Sequence, residues 1–146
     1  MDIEIRDATP YDADAIARIY REALGYEYMT GDIVRAKLAE MNARGGYMTC
    51  VALAGGAVAG VISAQRALAL EIAGEYVTIL GLAVDAGVRR RGVGRALMEH
   101  VENAARAAGI KHIMLNSGFA RTGAHAFYER LGYCKRSYKL VKGDKY

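Results

Sequence analysis

Hydrophobic positions follow two different periods along this chain, and together they predict strands alternating with helices. Alternating or β-branched apolar runs predict strands at 3–6, 47–53, 58–67, 76–84, 110–116 and 133–141. Apolar residues at helical spacing predict helices after Thr9-Pro10, over 30–44, after Gly92 and over 122–131. The predicted order is therefore β-α-α-β-β-β-α-β-α-β.

The apolar stripes predict which face of each helix is buried. The stripe of the first helix, which stops at Gly25, contains Ala13, Ile16, Ala17, Tyr20, Ala23 and Leu24. The second helix has a less regular inward face made of Ile33, Ala36, Leu38 and Met41. The third has the stripe Val93, Ala96, Leu97, Val101, Ala104, Ala105 and Ala108. On its polar side, Arg95/Glu99 and Glu102/Arg106 are spaced as ion pairs.

The connections between these elements predict the topology of the sheet. Gly55-Gly56 has the turn chemistry of an antiparallel hairpin. The strand, helix and strand between Tyr76 and Asn116 form one crossover unit, which makes two strands parallel. We expect a mixed α/β fold with a mostly antiparallel central sheet, one parallel strand pair and about four helices. No linker or repeat divides the chain, so residues 1–146 are expected to form a single domain.

Composition narrows the class of protein. The chain of 146 residues is 53% hydrophobic and 25% charged, as in folded soluble proteins. Cys50 and Cys134 lie outside any CxxC or Cys/His spacing, so we expect reduced thiols and no metal site. The N-terminus has no apolar leader, and the weakly polar stretch 50–64 is shorter than the roughly 20 residues of a spanning helix. A cytoplasmic protein without a membrane partner is expected.

A basic, glycine-containing segment follows the strand over 76–84. Four arginines occur within seven positions, Arg89, Arg90, Arg91 and Arg95. The first amides of a helix have no intrahelical partners, and Gly92 and Gly94 lack the Cβ atoms that would keep a phosphate from the backbone. A basic run alone is more typical of a solvated loop or a weak nucleic-acid patch. The chain has no Trp, no aromatic RNA-binding signature and a net charge of only +4, so no nucleic-acid partner is expected.

Two segments resemble the GNAT acyltransferases. The sequence LAVDAGVRRRGVGRAL, residues 82–97, is similar to their acetyl-CoA-binding motif, with Arg89, Gly92 and Gly94 at its diagnostic positions. The sequence AHAFYERLGY, residues 124–133, looks like a second motif of the family. The motifs lie in the last half of the chain, and the Walker and dinucleotide glycine motifs are missing. One departure is Ala86-Gly87, where the family often has proline first, and we expect it to loosen the loop.

The resemblance implies an N-acetyltransferase that moves an acetyl group from acetyl-CoA to a primary amine by direct attack in a ternary complex. The backbone near Leu82 and Val84 would pair with the pantetheine arm, the arginine segment would surround the pyrophosphate, and Asn116 would help hold the pantetheine. The implied cofactor-binding residues are Leu82, Ala83, Val84, Arg89, Arg90, Arg91, Gly92, Val93, Gly94, Arg95 and Asn116. Tyr128 would face the sulfur as the catalytic residue.

A phenol at position 128 suits this chemistry because it stays protonated at neutral pH and can donate a proton to the departing thiolate. Spacing alone favours a packing role, since Ala124, Phe127, Tyr128 and Leu131 form a helical stripe. The base that deprotonates the amine stays open between Glu71, Glu75, His125 and an ordered water.

The acceptor and two other functional classes also stay open. Tyr26, Glu27, Tyr28 and Met29 either line the acceptor pocket or form a loop that covers the sheet. The acceptor is a small molecule or a peptide, and a homodimer is one option for the assembly. A CoA-binding regulatory or sensor domain without turnover is the alternative function, and a nucleic-acid module is the third hypothesis.

Overall fold

A computed structural model describes residues 2–89, 91–118 and 121–143. They fall into two units that divide after Met114, and each unit is described by itself. The helices in these ranges are α1 (Ala13–Leu24), α2 (Gly31–Arg44), α3 (Val93–Ala107) and α4 (Thr122–Arg130). The strands are β1 (Ile3–Asp7), β2 (Tyr47–Ala54), β3 (Ala57–Leu68), β4 (Glu75–Val84) and β5 (Ile113–Leu115). None of the helices described is both long and apolar enough to cross a membrane.

The five strands form one sheet in the order β1-β2-β3-β4-β5. The pairs β1/β2, β2/β3 and β3/β4 are antiparallel. At the start of β5, the Val77 amide donates a 2.9 Å hydrogen bond to the His112 carbonyl. Because α3 connects β4 to β5 as a crossover, this last pair is parallel, and the mixed sheet predicted from the sequence is confirmed.

Helices α1 and α3 lie on opposite faces of this sheet. Val61 packs with the buried residues of α1, whereas a Cβ on the preceding Gly60 would lie 2.9 Å from Val93 of α3. Consecutive strand residues point to opposite faces, so the two contacts identify the two layers. The α1 layer buries Ala13, Ile16, Ala17 and Ile19, and α3 buries Val93, Leu97, Met98, Val101 and Ala105. Most of the predicted stripes are therefore confirmed, with Ile19 and Met98 added.

Three local predictions are wrong. Ile33 and Ala36 are exposed, Ile33 at 42%, and the buried residue of α2 is Val34. Strand β5 covers only Ile113–Leu115 of the longer segment predicted. Residues 133–141 contain no strand, and from Cys134 onward they are exposed. Their alternating side chains suit a strand, but a strand also needs a hydrogen-bonded neighbour, which an alternating pattern does not supply.

The entry into α1 is held by a buried carboxylate. Asp12 is 5% exposed and accepts two hydrogen bonds from the Arg6 guanidinium, at 2.7 and 2.9 Å. It also accepts a 2.8 Å hydrogen bond from the amide of Thr9, which closes a capping box around the Pro10–Asp12 turn. The hydrogen bonds from Arg6 are the main reason why the pKa of Asp12 lies below its usual range.

We predict that Asp12→Ala lowers the free energy of unfolding at pH 7 by about 1–3 kcal/mol, because it removes a cap and charge-assisted hydrogen bonds. The folded-state pKa of Asp12 is depressed, so its contribution is present above the unfolded pKa and is lost as the pH falls through the folded one. The deficit of the variant should therefore shrink toward acid pH. Urea unfolding between pH 7 and pH 2 measures it.

Asp14→Ala is the matched control, because Asp14 is exposed and its ion pair with Arg35 spans 3.5 Å at the surface. Exposed ion pairs of this kind contribute little. Equal losses in the two variants, or a loss at position 12 that does not change with pH, would contradict this role for Asp12.

Candidate functional site

The second half of β4 is irregular, and no described strand of the first unit pairs with it on the side opposite β3. Its register with β3 shifts between Ser63 and Ala64, which pair with Gly81 and Ile79, so Leu80 bulges out of the ladder. Strand β5 has only three residues, and its pairing begins at Val77, so it reaches only the first half of β4. Beyond the bulge, the backbone of 81–84 therefore has no described strand of the first unit on that side, and such an edge can pair with an extended ligand.

The chain leaves β4 through a turn closed by a carboxylate. The Asp85 side chain accepts a 3.0 Å hydrogen bond from the Gly87 amide, and Val88 N–H donates to the Asp85 carbonyl, also at 3.0 Å. Arg18 of α1 donates to the same side chain at 3.2 Å. The Gly87 amide, followed by Arg18, lowers the pKa of Asp85. The turn is thus closed without the proline that the resembling family often has.

Helix α3 begins immediately after a left-handed glycine. Gly92 has φ of +84°, which disfavours any residue with a Cβ, and its carbonyl accepts the first helical hydrogen bond, from Ala96 at 2.9 Å. The amides of Val93, Gly94 and Arg95 precede that bond and have no intrahelical partner. Val93 is buried, which fixes the first turn against the sheet. These amides, with the positive end of the helix dipole, can bind an anion.

The predicted arginines lie around this helix start. Arg89 and Arg91 are exposed, and Arg90 lies outside the described residues. Arg95 is also exposed and forms the predicted ion pair with Glu99, at 2.8 Å. An anionic ligand would compete with Glu99 for this guanidinium, and surface ion pairs are weak enough to exchange.

The second unit contains Tyr128 and Asn116. Tyr128 is half-buried in α4, with its ring 5.2 Å from that of Phe127 and 6.2 Å from that of Tyr133. Burial raises the pKa of the Tyr128 phenol, and Arg121 opposes the shift. The phenol therefore stays protonated at neutral pH, as a proton donor must. Asn116 is exposed, one residue past β5.

The candidate bases differ in their existing partners. Glu75 is bound by the Arg66 guanidinium, with Nε at 3.2 Å, so its carboxylate is already occupied. Glu71 is exposed in the turn before β4. His125 Nε2 lies 2.8 Å from the Gly118 carbonyl, and because a carbonyl only accepts, this nitrogen carries the hydrogen. The second ring nitrogen of His125 keeps its lone pair in the neutral ring. The base stays open.

Two contacts at the site were not predicted from the sequence. Arg18 and Asp85 are 67 positions apart, and only the fold brings them together. Tyr20 was assigned to the packing stripe of α1, yet an ideal Cβ on Gly81 would lie 2.5 Å from its hydroxyl. Glycine at position 81 was the available signal, because a glycine inside a strand often marks the close approach of another group.

The remaining chemically notable features lie elsewhere. Both cysteines are free, and burial is the main cause that raises the pKa of Cys50 to about 12, which makes that thiol unreactive. No group of three or more His, Cys, Asp or Glu in the described ranges could hold a metal ion. A cavity of about 540 Å³ lies at the opposite end of the strands, near Tyr47 and Ala108. It is remote from the α3 N-terminus and plays no part in the candidate site.

Named N-acetyltransferases are similar to this chain, one of them over most of its length. It is 31% identical to the aminoalkylphosphonate N-acetyltransferase of Salmonella typhimurium over 143 residues, 95% of this chain and 90% of that protein. An uncharacterized N-acetyltransferase of Bacillus subtilis, YhdJ, is 36% identical over 70 residues. That match covers 47% of this chain, and the chain spans only about half the length of YhdJ, 49%.

A solved structure shares the fold of this chain, and the sequence model of a protein family matches most of its residues. A transcriptional regulator from Bacillus halodurans superposes with a TM-score of 0.88 at 23% identity, covering 99% of this chain and 100% of that one. The model of the acetyltransferase (GNAT) family matches residues 13–133, which include the β4 bulge, the α3 N-terminus and α4. The chain therefore belongs to the GNAT family of acetyltransferases.

Proposed function

We propose that this chain transfers an acetyl group from acetyl-CoA to a primary amine of a small molecule or peptide, by direct attack in a ternary complex. In this proposal residues 1–146 act as one domain in the cytoplasm. The observation that carries it is the edge of β4 that no described strand of the first unit pairs with, which leads through the Asp85 turn to the amides of α3 without intrahelical partners. An extended arm that ends in a pyrophosphate fits this order of features.

The described residues fit the two ends of such a cosubstrate. At the α3 N-terminus, the amides of 93–95 and the exposed side chains of Arg89 and Arg91 offer donors and positive charge to a pyrophosphate. Along β4, the backbone of 82–84 can pair with the amides of a pantetheine arm as an added strand would. Asn116 is proposed as a further pantetheine contact.

Acetyl-CoA supplies an acyl carbon activated by its thioester. The backbone amides beside the Leu80 bulge are proposed to polarise the acyl oxygen and stabilise its developing charge. The Tyr128 hydroxyl, kept protonated by its raised pKa, is proposed to donate its proton to the departing sulfur. An ordered water or one of the open candidates accepts the proton of the amine.

The Salmonella relative suggests where a search for the acceptor should begin. Its name describes an amine on an alkyl chain that also bears a phosphonate. We propose a panel of short alkyl amines with and without an anionic group, monitored by release of the CoA thiol. The likeness to the Bacillus halodurans protein, at 23% identity, shows a shared fold and gives no information about function. Thiol release that depends on amine would exclude a sensor domain without turnover.

We predict that Gly94→Val weakens CoA binding by about tenfold to a hundredfold. Its side chain would keep a phosphate from amides whose charge-assisted hydrogen bonds are worth roughly 1.5–3 kcal/mol. Isothermal titration calorimetry measures the dissociation constant, and circular dichroism checks that the helix is intact. Thiol release at subsaturating acetyl-CoA should fall in parallel.

Ala107→Val is the matched control, since Ala107 is exposed in the last turn of the same helix, away from the amides at its start. It places the same β-branched side chain in the same helix without the steric effect at the phosphate, and it costs the helix more than Gly94→Val does, because Ala is a better helix former than Gly. An unchanged dissociation constant in a folded Gly94→Val protein, or an equal loss in both variants, would refute the phosphate site.

Tyr128→Phe keeps the ring and removes the hydroxyl, so it separates catalysis from packing. We predict that kcat falls about 100-fold at neutral pH while CoA affinity changes little, a typical size for a positioned general acid. A thiolate with a pKa near 8.5 needs less help as the pH rises, so the deficit should shrink in alkaline buffer. Steady-state kinetics from pH 6.5 to 9.5 provide the test.

Tyr133→Phe is its control, because that ring lies 6.2 Å from the ring of Tyr128 in the same unit. It should leave the pH profile of kcat unchanged. If Tyr128→Phe retains full turnover at neutral pH and loses only thermal stability, the residue has a packing role and the proton donor must be sought elsewhere.

A further inference from the structure

Three tyrosines form a continuous row from the surface of β4 outward to solvent. The hydroxyl of Tyr20 lies against Gly81, the residue next to the Leu80 bulge. The ring of Tyr26 is 6.0 Å from that of Tyr20, and the ring of Tyr28 is 6.1 Å from that of Tyr26 in an edge-on arrangement. We call Tyr20, Tyr26 and Tyr28 the tyrosine row.

The backbone between the rings is fixed, so the row has a defined geometry. Gly25 ends α1 at φ of +78° and its amide donates to the Arg21 carbonyl at 3.1 Å. The amide of Met29 then donates to the Tyr26 carbonyl, also at 3.1 Å. The Arg21 side chain donates to the Met29 carbonyl at 2.6 Å and fastens the loop to the helix.

The two ends of the row differ in exposure. Burial is the main cause that raises the pKa of Tyr20 to about 12, so its phenol is neutral at any physiological pH. Tyr28 is 50% exposed at the outer end. The row therefore runs from an exposed ring in the loop to a buried phenol at Gly81.

The phenol rings of the row and one carboxylate of its loop favour a cation. The faces of phenol rings attract ammonium groups. Glu27, between Tyr26 and Tyr28 in sequence, is exposed and adds a negative charge to the loop. Of the nearby arginines of α1, Arg18 is paired with the carboxylates of Glu22 and Asp85, and Arg21 keeps its positive charge while it donates to the Met29 carbonyl.

From this arrangement we propose that the tyrosine row is a specificity site that binds the ammonium form of the acceptor and directs it to the β4 bulge. The proposal rests on the proposed function, which makes the acceptor an amine. It adds that the chain selects acceptors by positive charge next to the reacting end, through Tyr20, Tyr26 and Tyr28. No covalent step is involved in this selection.

The first test uses choline, a permanent cation, against 3,3-dimethylbutan-1-ol, its neutral isostere. Both are titrated into the whole chain with labelled tyrosine rings and followed by NMR. We expect choline to shift the Tyr28 ring signals, identified from their loss in Tyr28→Phe, and the neutral alcohol to bind far more weakly. A choline titration that moves none of the row's ring signals would overturn the proposal.

Variants at the exposed end keep the fold intact and separate ring from hydroxyl. Tyr28→Leu should weaken choline binding about three- to fivefold, the effect of one exposed cation–π contact. Tyr28→Phe should retain the wild-type affinity. Tyr11→Leu is the matched control, because Tyr11 is 96% exposed and lies outside the row. Unchanged affinity in Tyr28→Leu, or an equal loss in Tyr11→Leu, would contradict the assignment.

The same variants are then compared in acetyl transfer to an amine found by the thiol-release panel. Tyr28→Leu should raise KM for the amine about three- to fivefold and leave kcat within about twofold, since the contact acts in binding. Choline binding does not require turnover. A chain that binds choline through Tyr28 but releases no CoA thiol with any amine would contradict the proposed function and leave the cation site standing.

Discussion

The chain leaves β4 at Val84 and has eight residues, 85–92, in which to turn and begin α3. Two features make this possible: the Asp85 carboxylate closes the first turn on the Gly87 amide, and Gly92 adopts a left-handed conformation at the helix start. A residue with a Cβ at position 92 would cost roughly 1–2 kcal/mol there. The free amides of α3 are placed at the end of β4 because of this turn.

The layers on the two faces of the sheet hold the turn in place. Val93 and Leu97 pack α3 against the face that Gly60 leaves open, while α1 covers the other face. Arg18 of α1 forms an ion pair with Asp85 in the turn after β4. The α1 layer, on the face opposite α3, therefore also holds this turn in place. The core contacts of both helices therefore support the position of the amides at the start of α3.

The edge of β4 and the tyrosine row meet at one short segment. Leu80 bulges out of the β3/β4 pairing, and the Tyr20 hydroxyl lies against the next residue, Gly81. Strand β5 has only three residues and does not pair with the backbone of β4 beyond them. A strand in a regular sheet would have its edge and its face filled by neighbours. In the proposed function, the irregularity of β4 marks the place where an acyl group and an amine would meet.

Periodicity was sufficient to predict α1 and α3, because a buried helical face imposes a spacing that the sequence displays directly. The motif at 82–97 likewise located the helix start, although Arg90 lies outside the described residues. The Leu80 bulge could not be predicted from the sequence, because it depends on which residues of β3 and β4 pair. Residues 133–141 show the converse, since an alternating pattern predicted a strand for which no ladder is present.

The central claim, that CoA phosphates bind the first amides of α3, is tested most directly by residue-resolved amide hydrogen exchange with saturating CoA. The amides of Val93, Gly94 and Arg95 lack intrahelical partners, whereas Ala96 already donates to Gly92 and serves as the internal reference. The account predicts exchange slowed by at least about tenfold at 93–95, with a smaller change at Ala96. Unchanged exchange at 93–95, while calorimetry shows that CoA is bound, would place the cofactor elsewhere on the chain.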